Sequence, residues 1–547
     1  MTKLFEVENL QTRFGEGESA IRAVDGIDFS IDQGETFVLL GESGSGKSIS
    51  ALTIMRLLPP AARIVGGSVR LNGQNLFDLS ERAMRDVRGS KIAMIFQEPQ
   101  TSLNPVLTAG RQIGETLQRH KGLKGNRQRD RVIELLDEVG IPEPERRIDD
   151  YPHQFSGGMK QRIMIAMALA GEPALLIADE PTTALDVTIQ AQILKLMKRL
   201  QQETGMAILF ITHDLAVASE IADHVAVMFN GRIVESGRSE TLFARPTHEY
   251  TRHLFDAVPS RARRESEVSE IPAIQPDTGS PLLSVQDLRV YYPIRKGLFK
   301  RVVGYVKAVD DVSVNIYKGQ TVAVVGESGS GKTTMGKGIL QLYPPTDGHV
   351  VFNNEELTGI SSQQMRRRRA DIQVVFQDPY SSMNPRMMIS DIIAEGMIAQ
   401  GIGGSPEARL QRIDQLLEQV GLEASHKLRY PHEFSGGQRQ RICIARALAV
   451  EPKLIVCDEP TSALDVSVQA QILHLLKRLQ NELGLAYLFI SHDLSVVEYI
   501  AHYICVMYQG KIVEQGSVDD VICNPQHEYT RKLLSAVPRI KTGTHEY

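Results

Sequence analysis

The stretch Gly41-Glu42-Ser43-Gly44-Ser45-Gly46-Lys47-Ser48 occurs a second time as Gly326-Glu327-Ser328-Gly329-Ser330-Gly331-Lys332-Thr333. Both copies match the phosphate-binding loop pattern GxxxxGK[ST]. Each copy directly follows a short apolar run, Thr36–Leu40 in one case and Thr321–Val325 in the other. A strand, a glycine-rich loop and a helix in this order are the context that the pattern requires. We therefore expect each copy to bind nucleotide phosphates.

Four shorter motifs follow each loop in the same order. They are Phe-Gln at 96–97 and 376–377, Ser-Gly-Gly at 156–158 and 435–437, Asp-Glu at 179–180 and 458–459, and His-Asp at 213–214 and 492–493. The second copy trails the first by 285 residues at the loop lysine, 280 at the glutamine and 279 at the other three motifs. A near-constant offset predicts that a whole domain is duplicated. We expect a first domain at 1–260, a polar linker at 261–280 and a second domain at 281–547.

The composition is that of an ordinary globular protein, with 42% hydrophobic and 23% charged residues among 547. A formal charge of −5 gives no basic field for nucleic acid, and no apolar stretch approaches the length of a transmembrane helix. The dense basic run at 366–369 is expected to be a solvated helix face, with a contact to a partner or membrane surface as the alternative. Four cysteines form no CxxC pair, and we expect all of them to be small buried residues: Cys443, Cys457, Cys505 and Cys523.

Strand and helix patterns alternate within each half. Residues 67–72, followed by Gly73, alternate in the way typical of an antiparallel strand and turn. Residues 131–139 and 412–420 carry apolar side chains at spacings of three and four, which predicts a helix in each. Apolar runs at 174–178, 208–211, 453–457 and 488–490 predict buried strands. Apolar strands that alternate with helices indicate an α/β fold with a mostly parallel sheet covered on both faces.

The loops have a clear chemical use. Where glycines let the chain curl, consecutive backbone N–H groups can surround phosphate oxygens, and the following helix adds its positive dipole end. Lys47 and Lys332 are expected to reach the β- and γ-phosphates. Ser48 and Thr333 are expected to place hydroxyl groups on Mg²⁺.

Two pairs of acidic residues end apolar strands. Asp179 and Asp458 would face the ligand crevice at the carboxyl end of a parallel strand, where each could hold Mg²⁺ through water. Glu180 and Glu459 would point at the attacking water as general bases. A structural salt bridge or a helix cap is the alternative reading of such a pair.

A histidine and a glutamine complete each set. His213 and His492 each lie 34 residues after the aspartate of their half, which favours a sensor of the γ-phosphate over a histidine that merely satisfies local hydrogen bonds. Gln97 and Gln377 follow apolar strands, where a glutamine can ligate Mg²⁺ and orient water. Each glutamine could equally be a polar strand end.

The Ser-Gly-Gly motifs open two long helices. A serine hydroxyl, two exposed glycine N–H groups and a helix N-terminus make a second anion site in each half: Ser156, Gly157 and Gly158, and Ser435, Gly436 and Gly437. One triphosphate does not need two such sites from one domain, so each would serve the nucleotide of the other half. A simple helix cap is the alternative.

These motifs together resemble those of the ABC-type ATPases, and the resemblance covers nearly the whole chain. It implies two tandem P-loop ATPase domains, each with a mostly parallel core, an antiparallel β subdomain and a helical subdomain, and two molecules of ATP with Mg²⁺ held head to tail. One site would combine Lys47, Ser48, Gln97, Asp179, Glu180 and His213 with Ser435 and Gly437. The other would combine Lys332, Thr333, Gln377, Asp458, Glu459 and His492 with Ser156 and Gly158. Phe14 and Tyr292 match the aromatic residue that stacks on adenine in this family.

Finer features are similar to the peptide and nickel importer group. They include Phe-Gln-Glu-Pro at 96–99, Phe-Gln-Asp-Pro at 376–379 and the tails at 246–251 and 525–530. The fusion and the segment 292–301 look most like Yej-type importer ATPases. Residues 240–285 contain no cysteine, so we expect no iron–sulfur cluster. Met159 replaces a polar residue of the family signature, which would weaken one site.

The resemblance implies an ATP-hydrolysing importer subunit, peripheral at the cytoplasmic face of the cell membrane. Its partners would be two permease subunits, docked on regions 98–155 and 378–434, and an extracytoplasmic substrate-binding protein. A peptide is the expected cargo, with nickel or glutathione as alternatives. A different class of function, an ATPase that acts on ribosomes or nucleic acid, is disfavoured because no basic arm is present.

Overall fold

The computed structural model describes residues 3–17, 20–183, 185–258, 279–297, 299–462, 464–538, 541–542 and 545–546. Two compact units divide the chain, the first with most of residues 1–257 and the second with most of residues 258–537. The predicted linker at 261–280 lies almost wholly outside the described residues, so the domain boundaries stay a prediction. No helix among the described residues is both long and apolar enough to cross a membrane.

The described residues of the first unit that precede residue 258 contain ten strands. They are β1 Lys3–Phe14, β2 Ile21–Asp32, β3 Thr36–Leu40, β4 Ala62–Leu71, β5 Gln74–Asn75, β6 Ile92–Ile95, β7 Leu175–Asp179, β8 Ala207–Thr212, β9 His224–Phe229 and β10 Arg232–Arg238. Its α-helices span Lys47–Ile54, Glu81–Val87, Pro99–Ser102, Ala109–Lys121, Gly125–Glu138, Pro144–Arg147, Gly157–Leu169, Val187–Thr204, Leu215–Ile221, Ser239–Ala244 and Glu249–Asp256.

The second unit repeats this order of strands, and its described α-helices match those of the first unit except that the short helices Pro99–Ser102 and Pro144–Arg147 have no α-helical counterpart. Its strands are β11 Leu283–Lys296, β12 Arg301–Ile316, β13 Thr321–Val325, β14 Asp347–Phe352, β15 Glu355–Glu356, β16 Ile372–Val375, β17 Leu454–Asp458, β18 Ala486–Ile490, β19 Tyr503–Tyr508 and β20 Lys511–Ser517. Its α-helices span Lys332–Ile339, Ser362–Arg368, Ile389–Gln400, Pro406–Gln419, Gly436–Leu448, Val466–Leu483, Leu494–Ile500, Val518–Cys523 and Glu528–Ser535. Two short strands, Lys541–Thr542 and His545–Glu546, pair near the end of the chain.

Each unit contains an antiparallel sheet and a mostly parallel sheet. The strand orders are β2-β1-β4-β5 and β10-β9-β3-β8-β7-β6 in the first unit, and β12-β11-β14-β15 and β20-β19-β13-β18-β17-β16 in the second. Only β10 and β20 run antiparallel to their neighbours in the larger sheets. The central strands β3, β7, β13 and β17 are buried at every residue, as apolar runs covered on both faces should be. The predicted α/β fold is confirmed.

The predicted helices are present but begin earlier than expected. The helices Gly125–Glu138 and Pro406–Gln419 each start six residues before the predicted segment, because their first turns are polar and exposed and carry no apolar period. Their apolar residues join a helical region; in the second unit Leu416 and Leu417 pack in one core with Ile393 and Ile442.

One expectation about the cysteines is wrong. Cys443, Cys457 and Cys505 are buried, but Cys523 is exposed. It is the last residue of the short helix Val518–Cys523, whose buried face is formed by Val518 and Val521. The basic run at 366–369 is largely exposed around the end of the helix Ser362–Arg368, as expected of a solvated face.

Candidate functional site

Both phosphate loops begin where a fully buried central strand ends. β3 and β13 lead into the loops, and each loop runs into a helix that begins at its lysine. Gly46 and Gly331 have φ angles of 104° and 110°, which favour glycine. A Cβ atom would lie 2.2 Å from the carbonyl oxygen of Ala23 in the first loop and 2.1 Å from that of Ala308 in the second. The tight curl needed to expose backbone N–H groups is therefore present in both loops.

The loop lysines turn back over their own loops. Lys47 Nζ donates to the carbonyl oxygens of the first two loop residues at 2.7 and 2.8 Å. Lys332 Nζ makes the same two bonds in its loop, at 2.7 and 2.9 Å. Both side chains are buried, and burial lowers the pKa of Lys332. Each loop thus holds one ammonium group beside its curled backbone.

Two further features of the loops suit phosphate oxygens. The helices Lys47–Ile54 and Lys332–Ile339 begin without a side-chain cap, and the first N–H groups of a helix have no intrahelical partner. The hydroxyl groups of Ser45 and Ser330 are buried and have no hydrogen-bond partner among the described residues. Buried polar groups are nearly always paired in native proteins, so donors gathered in this way fit an anionic ligand.

The metal candidates of each half touch one another. Ser48 Oγ donates to Asp179 Oδ1, and Thr333 Oγ1 donates to Asp458 Oδ1, both at 2.9 Å. Burial raises the pKa of Asp179 to about 6 and also raises the pKa of Asp458. No cluster of three or more metal-ligating side chains occurs in the described ranges. The hydroxyl and carboxylate that lie together in each half are oxygen ligands that fit Mg²⁺, which commonly takes its other ligands from water and phosphate.

Glu180 is held in a fixed geometry beside Asp179. Its φ of 45° is a conformation that costs a residue with a side chain roughly 1–3 kcal/mol, and such strain concentrates at functional sites. Gln97 Nε2 donates to its Oε2 at 2.9 Å, and His213 Nδ1 lies 3.2 Å from its Oε1. Burial opposes ionisation of this carboxyl, but the hydrogen bond and charge of His213 lower the pKa of Glu180 to about 2. Glu180 is therefore an ionised carboxylate at neutral pH.

Glu459 has the same surroundings in the second half. Its φ is 47°, Gln377 Nε2 donates to its Oε2 at 2.7 Å, and His492 Nδ1 lies 3.2 Å from its Oε1. Burial acts against the shift, but the hydrogen bond from His492 lowers the pKa of Glu459. Burial alone would lower the pKa of His492, but the hydrogen bond to Glu459 and the charge of that carboxylate raise it. The structure thus brings glutamine, glutamate and histidine together in each unit.

The aspartates that follow the two histidines have a structural use. Asp214 Oδ1 accepts from the backbone N–H groups of Ala216 and Val217, and Asp493 caps the matching helix in the same way. These caps fix the N-termini of the helices Leu215–Ile221 and Leu494–Ile500, which begin two residues after the histidines.

The signature serines cap the helices Gly157–Leu169 and Gly436–Leu448. The expectation of two exposed glycines is wrong for the second glycine of each motif. Gly158 and Gly437 are buried, and a Cβ atom on them would lie 2.6 Å from Ile189 Cγ2 and 2.2 Å from Val468 Cγ1. Helix packing therefore requires these two glycines, while Gly157 and Gly436 remain exposed.

The two signature caps differ by one hydrogen bond. Ser435 Oγ accepts from the backbone N–H of Gln438, and Gln438 Oε1 accepts from the backbone N–H of Ser435 at 3.0 Å, which completes a capping box. Ser156 Oγ accepts from the backbone N–H of Met159 at 3.4 Å, but a methionine side chain cannot return the second bond in this way. The departure of Met159 from the family pattern therefore has a local structural consequence.

The two predicted adenine-stacking residues lie at corresponding strand positions. Phe14 ends β1 and is partly buried. Tyr292 lies on β11 with 36% of its surface exposed, and its ring meets Tyr343 edge-on at 5.9 Å. The neighbouring Tyr291 instead bonds its hydroxyl group to Asp310. Tyr292 is thus the more exposed of the two tyrosines, and its stacking on adenine stays a prediction.

Sequence reasoning missed one residue at the second phosphate loop. The backbone N–H of Glu327 donates to the hydroxyl oxygen of Tyr529 at 3.0 Å. Tyr529 lies on the helix Glu528–Ser535, far along the chain from the loop, and is 7% exposed. The repeated His-Glu-Tyr-Thr motif at 248–251 and 527–530 was the signal available, but it does not show what the tyrosine contacts.

The fold and this repeated set of side chains define a double P-loop ATPase, and comparison with known proteins gives the family. A family model described as ABC transporter matches residues 24–183 and again 309–462. A second model, described as the oligopeptide/dipeptide transporter C-terminal region, matches residues 234–282 and 513–547. The chain belongs to the ABC transporter family and carries two copies of its ATPase domain.

Two similar proteins match this chain over most of their length. The chain is 50% identical over 539 residues to the peptidoglycan transport ATP-binding protein YejF of Agrobacterium fabrum, which covers 98% of this chain and 97% of that protein. It is also 50% identical over 555 residues to the glutathione import ATP-binding protein GsiA of Escherichia coli O157:H7, with 97% and 89% covered. The resemblance to ABC-type importer ATPases is confirmed.

Proposed function

We propose that this chain is the ATP-hydrolysing subunit of an importer for peptides, with both halves catalytically active. The main support is that each unit holds a complete set of phosphate, metal and water-activating groups in nearly the same geometry. The match to the oligopeptide/dipeptide transporter C-terminal region supports a peptide cargo. Glutathione, the substrate in the name of one relative, is the alternative cargo.

The residues of each half have distinct tasks in this proposal. The curled loop and its lysine would hold the phosphates of ATP, and Ser48 with Asp179, or Thr333 with Asp458, would hold Mg²⁺. Bound Mg²⁺ would neutralise charge that develops on the phosphates. The glutamate would accept a proton from the attacking water. Its glutamine and histidine partners fix the carboxylate, so little reorganisation is needed when the water is deprotonated. The contribution of each signature motif to the nucleotide of the other half stays a prediction.

The activity of each half is tested by single substitutions of the glutamates. We expect Glu180→Gln and Glu459→Gln each to reduce steady-state ATP hydrolysis at their own site by about 10²–10³, since each removes one positioned catalytic group. Glu203→Gln, at a surface glutamate with 60% side-chain exposure, is the control and should keep wild-type activity. If either catalytic variant retains essentially full activity, the corresponding half does not hydrolyse ATP.

The membrane partners are tested by a pull-down. We propose that separate permease chains bind this subunit at the cytoplasmic face of the membrane and receive cargo from an extracytoplasmic binding protein. The bait is the Glu180→Gln, Glu459→Gln double variant with Mg-ATP in solubilised membranes of the source cell. Two different multi-span membrane proteins, identified by mass spectrometry, are expected. Ribosomal proteins without permeases would leave the ATPase standing and overturn the transport function.

The cargo is tested by uptake into source cells that carry only the double variant. We expect such cells to lose uptake of a labelled tetrapeptide, while Glu203→Gln cells keep it. A loss confined to labelled glutathione would favour the alternative cargo, and unchanged uptake of both would contradict the proposal.

A further inference from the structure

The second unit carries a long ribbon that its counterpart in the first unit lacks. β11 pairs with β14 only as far as Arg289, whereas its pairing with β12 continues to Lys296 and Arg301. Beyond Arg289 the hairpin is therefore two strands wide. In the first unit β1 and β2 pair only as far as Phe14 and Ile21. The ribbon is formed by residues 291–297 and 299–307, and we call it the basic hairpin.

The basic hairpin exposes an unusual amount of apolar surface. Seven of the 21 exposed large apolar or aromatic residues in the described chain lie on it: Tyr292, Ile294, Phe299, Val302, Val303, Tyr305 and Val306. Phe299 is 82% exposed, and Tyr305 and Val303 are 59% and 58% exposed. Both faces of the ribbon are exposed to solvent, because every residue of 292–297 and 301–303 is exposed and successive residues of a strand point to opposite faces. A two-stranded ribbon in water has little to stabilise it, and contiguous exposed apolar surface marks an interaction site.

The charge on the basic hairpin has a single sign. No acidic residue occurs between Asp287 and Asp310, a stretch that contains six basic residues. Two of the six have acidic partners: Arg289 pairs with Asp311 and Asp347, and Lys307 pairs with Asp310. The other four form no ion pair in the parts of the chain that the structure describes: Arg295, Lys296, Lys300 and Arg301. These four carry positive charge on a chain whose formal charge is −5.

The corresponding turn of the first unit has the opposite character. The connection at residues 15–20 is short and mostly polar, and its only charged residues are the acids Glu16 and Glu18. Within one duplicated chain, the same connection is therefore acidic in one half and basic with apolar residues in the other. The difference is not required by the phosphate loops, whose geometry is the same in both halves.

We propose that the basic hairpin binds the surface of a membrane that contains anionic lipids. Aromatic and aliphatic side chains flanked by lysine and arginine suit the boundary between headgroups and acyl chains, where apolar area and positive charge both contribute to binding. A permease loop fits less well, because cytoplasmic loops of membrane proteins carry an excess of lysine and arginine and would repel the hairpin. Direct lipid contact goes beyond the proposed function, in which the chain reaches the membrane only through permeases.

The proposal is tested with the purified full chain and no permease. Vesicles of phosphatidylcholine with about 30% phosphatidylglycerol are compared with pure phosphatidylcholine by co-sedimentation, since anionic lipids provide the attraction. Each basic residue near an anionic surface strengthens binding about fivefold. Lys300→Gln with Arg301→Gln should therefore weaken binding about 25-fold. Raising the ionic strength from about 0.1 to 0.5 M should also release the wild-type chain, because screening shortens the reach of its charges.

A matched control removes the same charge elsewhere. Arg366→Gln with Arg367→Gln alters the exposed basic run of the same unit and should leave vesicle binding within about twofold of wild type. Phe299→Ser with Tyr305→Ser keeps the charge and should also weaken binding, since apolar area is removed. ATP hydrolysis by all three variants should match the wild type.

Three results would overturn the inference. The wild-type chain could fail to sediment with anionic vesicles, or the control pair could lose as much binding as the hairpin pair, which would indicate only a general charge effect. A photo-crosslinker at Val303 that reaches a membrane protein in native membranes, combined with no vesicle binding, would identify a protein as the partner instead. None of these results bears on whether the chain imports peptides, so failure here is distinguishable from failure of the proposed function.

Discussion

Removal of one hydroxyl group, by Tyr529→Phe, tests whether the C-terminal region helps to shape the second phosphate loop. The Glu327 peptide is held on both sides, since its N–H donates to Tyr529 at 3.0 Å and its carbonyl oxygen accepts from Lys332 at 2.9 Å. The tyrosine is itself well fixed. Its ring lies 4.2 Å from that of Tyr508, and burial raises the pKa of Tyr529 to about 12, so the hydroxyl group stays neutral.

The start of the helix that carries Tyr529 is also anchored to the sheet. Glu514 on β20 accepts from the backbone N–H groups of Gln526 and His527 at 2.7 and 3.0 Å. His527 Nδ1 then accepts from the backbone N–H of Tyr529 at 3.1 Å. A continuous set of hydrogen bonds therefore runs from the sheet through the region matched as the transporter C-terminal region to the phosphate loop.

The expected magnitude follows from one neutral hydrogen bond. Such a bond contributes about 1 kcal/mol net, and its loss leaves the Glu327 N–H unpaired. If that free energy maintains the loop in its binding conformation, the apparent dissociation constant for ATP at this site rises about fivefold. The groups around Glu459 are untouched, so kcat should change less than about twofold.

The assay isolates the second site. A fluorescent ATP analogue is titrated into a chain in which Lys47→Ala has weakened the first loop, with and without Tyr529→Phe. Tyr508→Phe is the matched control, because it removes a neighbouring hydroxyl group that accepts a hydrogen bond from Gln509, outside the phosphate loop, and should leave the affinity unchanged. An affinity for Tyr529→Phe that equals that of the control would refute the reasoning. A lower melting temperature with unchanged affinity would assign the bond to stability alone.

Three further predictions concern local structure. Met159→Gln should complete the capping box that Gln438 makes in the other half and stabilise the first unit against thermal unfolding by about 0.5–1 kcal/mol; no rise in melting temperature would contradict the hydrogen-bond account. Gly437→Ala should destabilise its unit by about 1–3 kcal/mol through overpacking, while Gly436→Ala should cost less than about 1 kcal/mol, and equal losses in chemical denaturation would argue against packing as the cause. Of the four cysteines, only Cys523 should react with a thiol reagent in the native protein at pH 8, with all four reacting in denaturant, because the others are buried; more than one fast thiol would contradict the fold.

The parallel sheet was predictable from sequence because its strands are buried on both faces. Thr36–Leu40 and Leu454–Asp458 are nearly continuous apolar runs, and the structure buries each of their residues. Helix starts were less predictable. The first turn of Gly125–Glu138 is polar, so periodicity identifies only the part that packs against the core.

The side chains that meet at the candidate site were predictable because they occupy motif positions, whereas the contacts that support them were not. Nothing local in sequence connects Tyr529 with Glu327, which are 202 residues apart. The packing reason for Gly158 is also nonlocal, since the side chain that would clash belongs to Ile189 on another helix. Such contacts depend on tertiary structure and have no periodic signal.

The two halves share the geometry of the groups that are proposed to act on ATP. They differ in the structure around those groups. The hydrogen bonds of Ser48 and Thr333 to their aspartates have the same length, and Glu180 and Glu459, the proposed general bases, share a strained φ. Had one half become a purely regulatory nucleotide site, the glutamate or its partners would be the expected place for a change, because loss of the base alone stops hydrolysis without preventing binding. The clear differences instead lie in the signature cap at Met159 and in the basic hairpin. The halves therefore differ in the basic hairpin of the second unit and in the helix cap at Met159 of the first. We expect both halves to hydrolyse ATP.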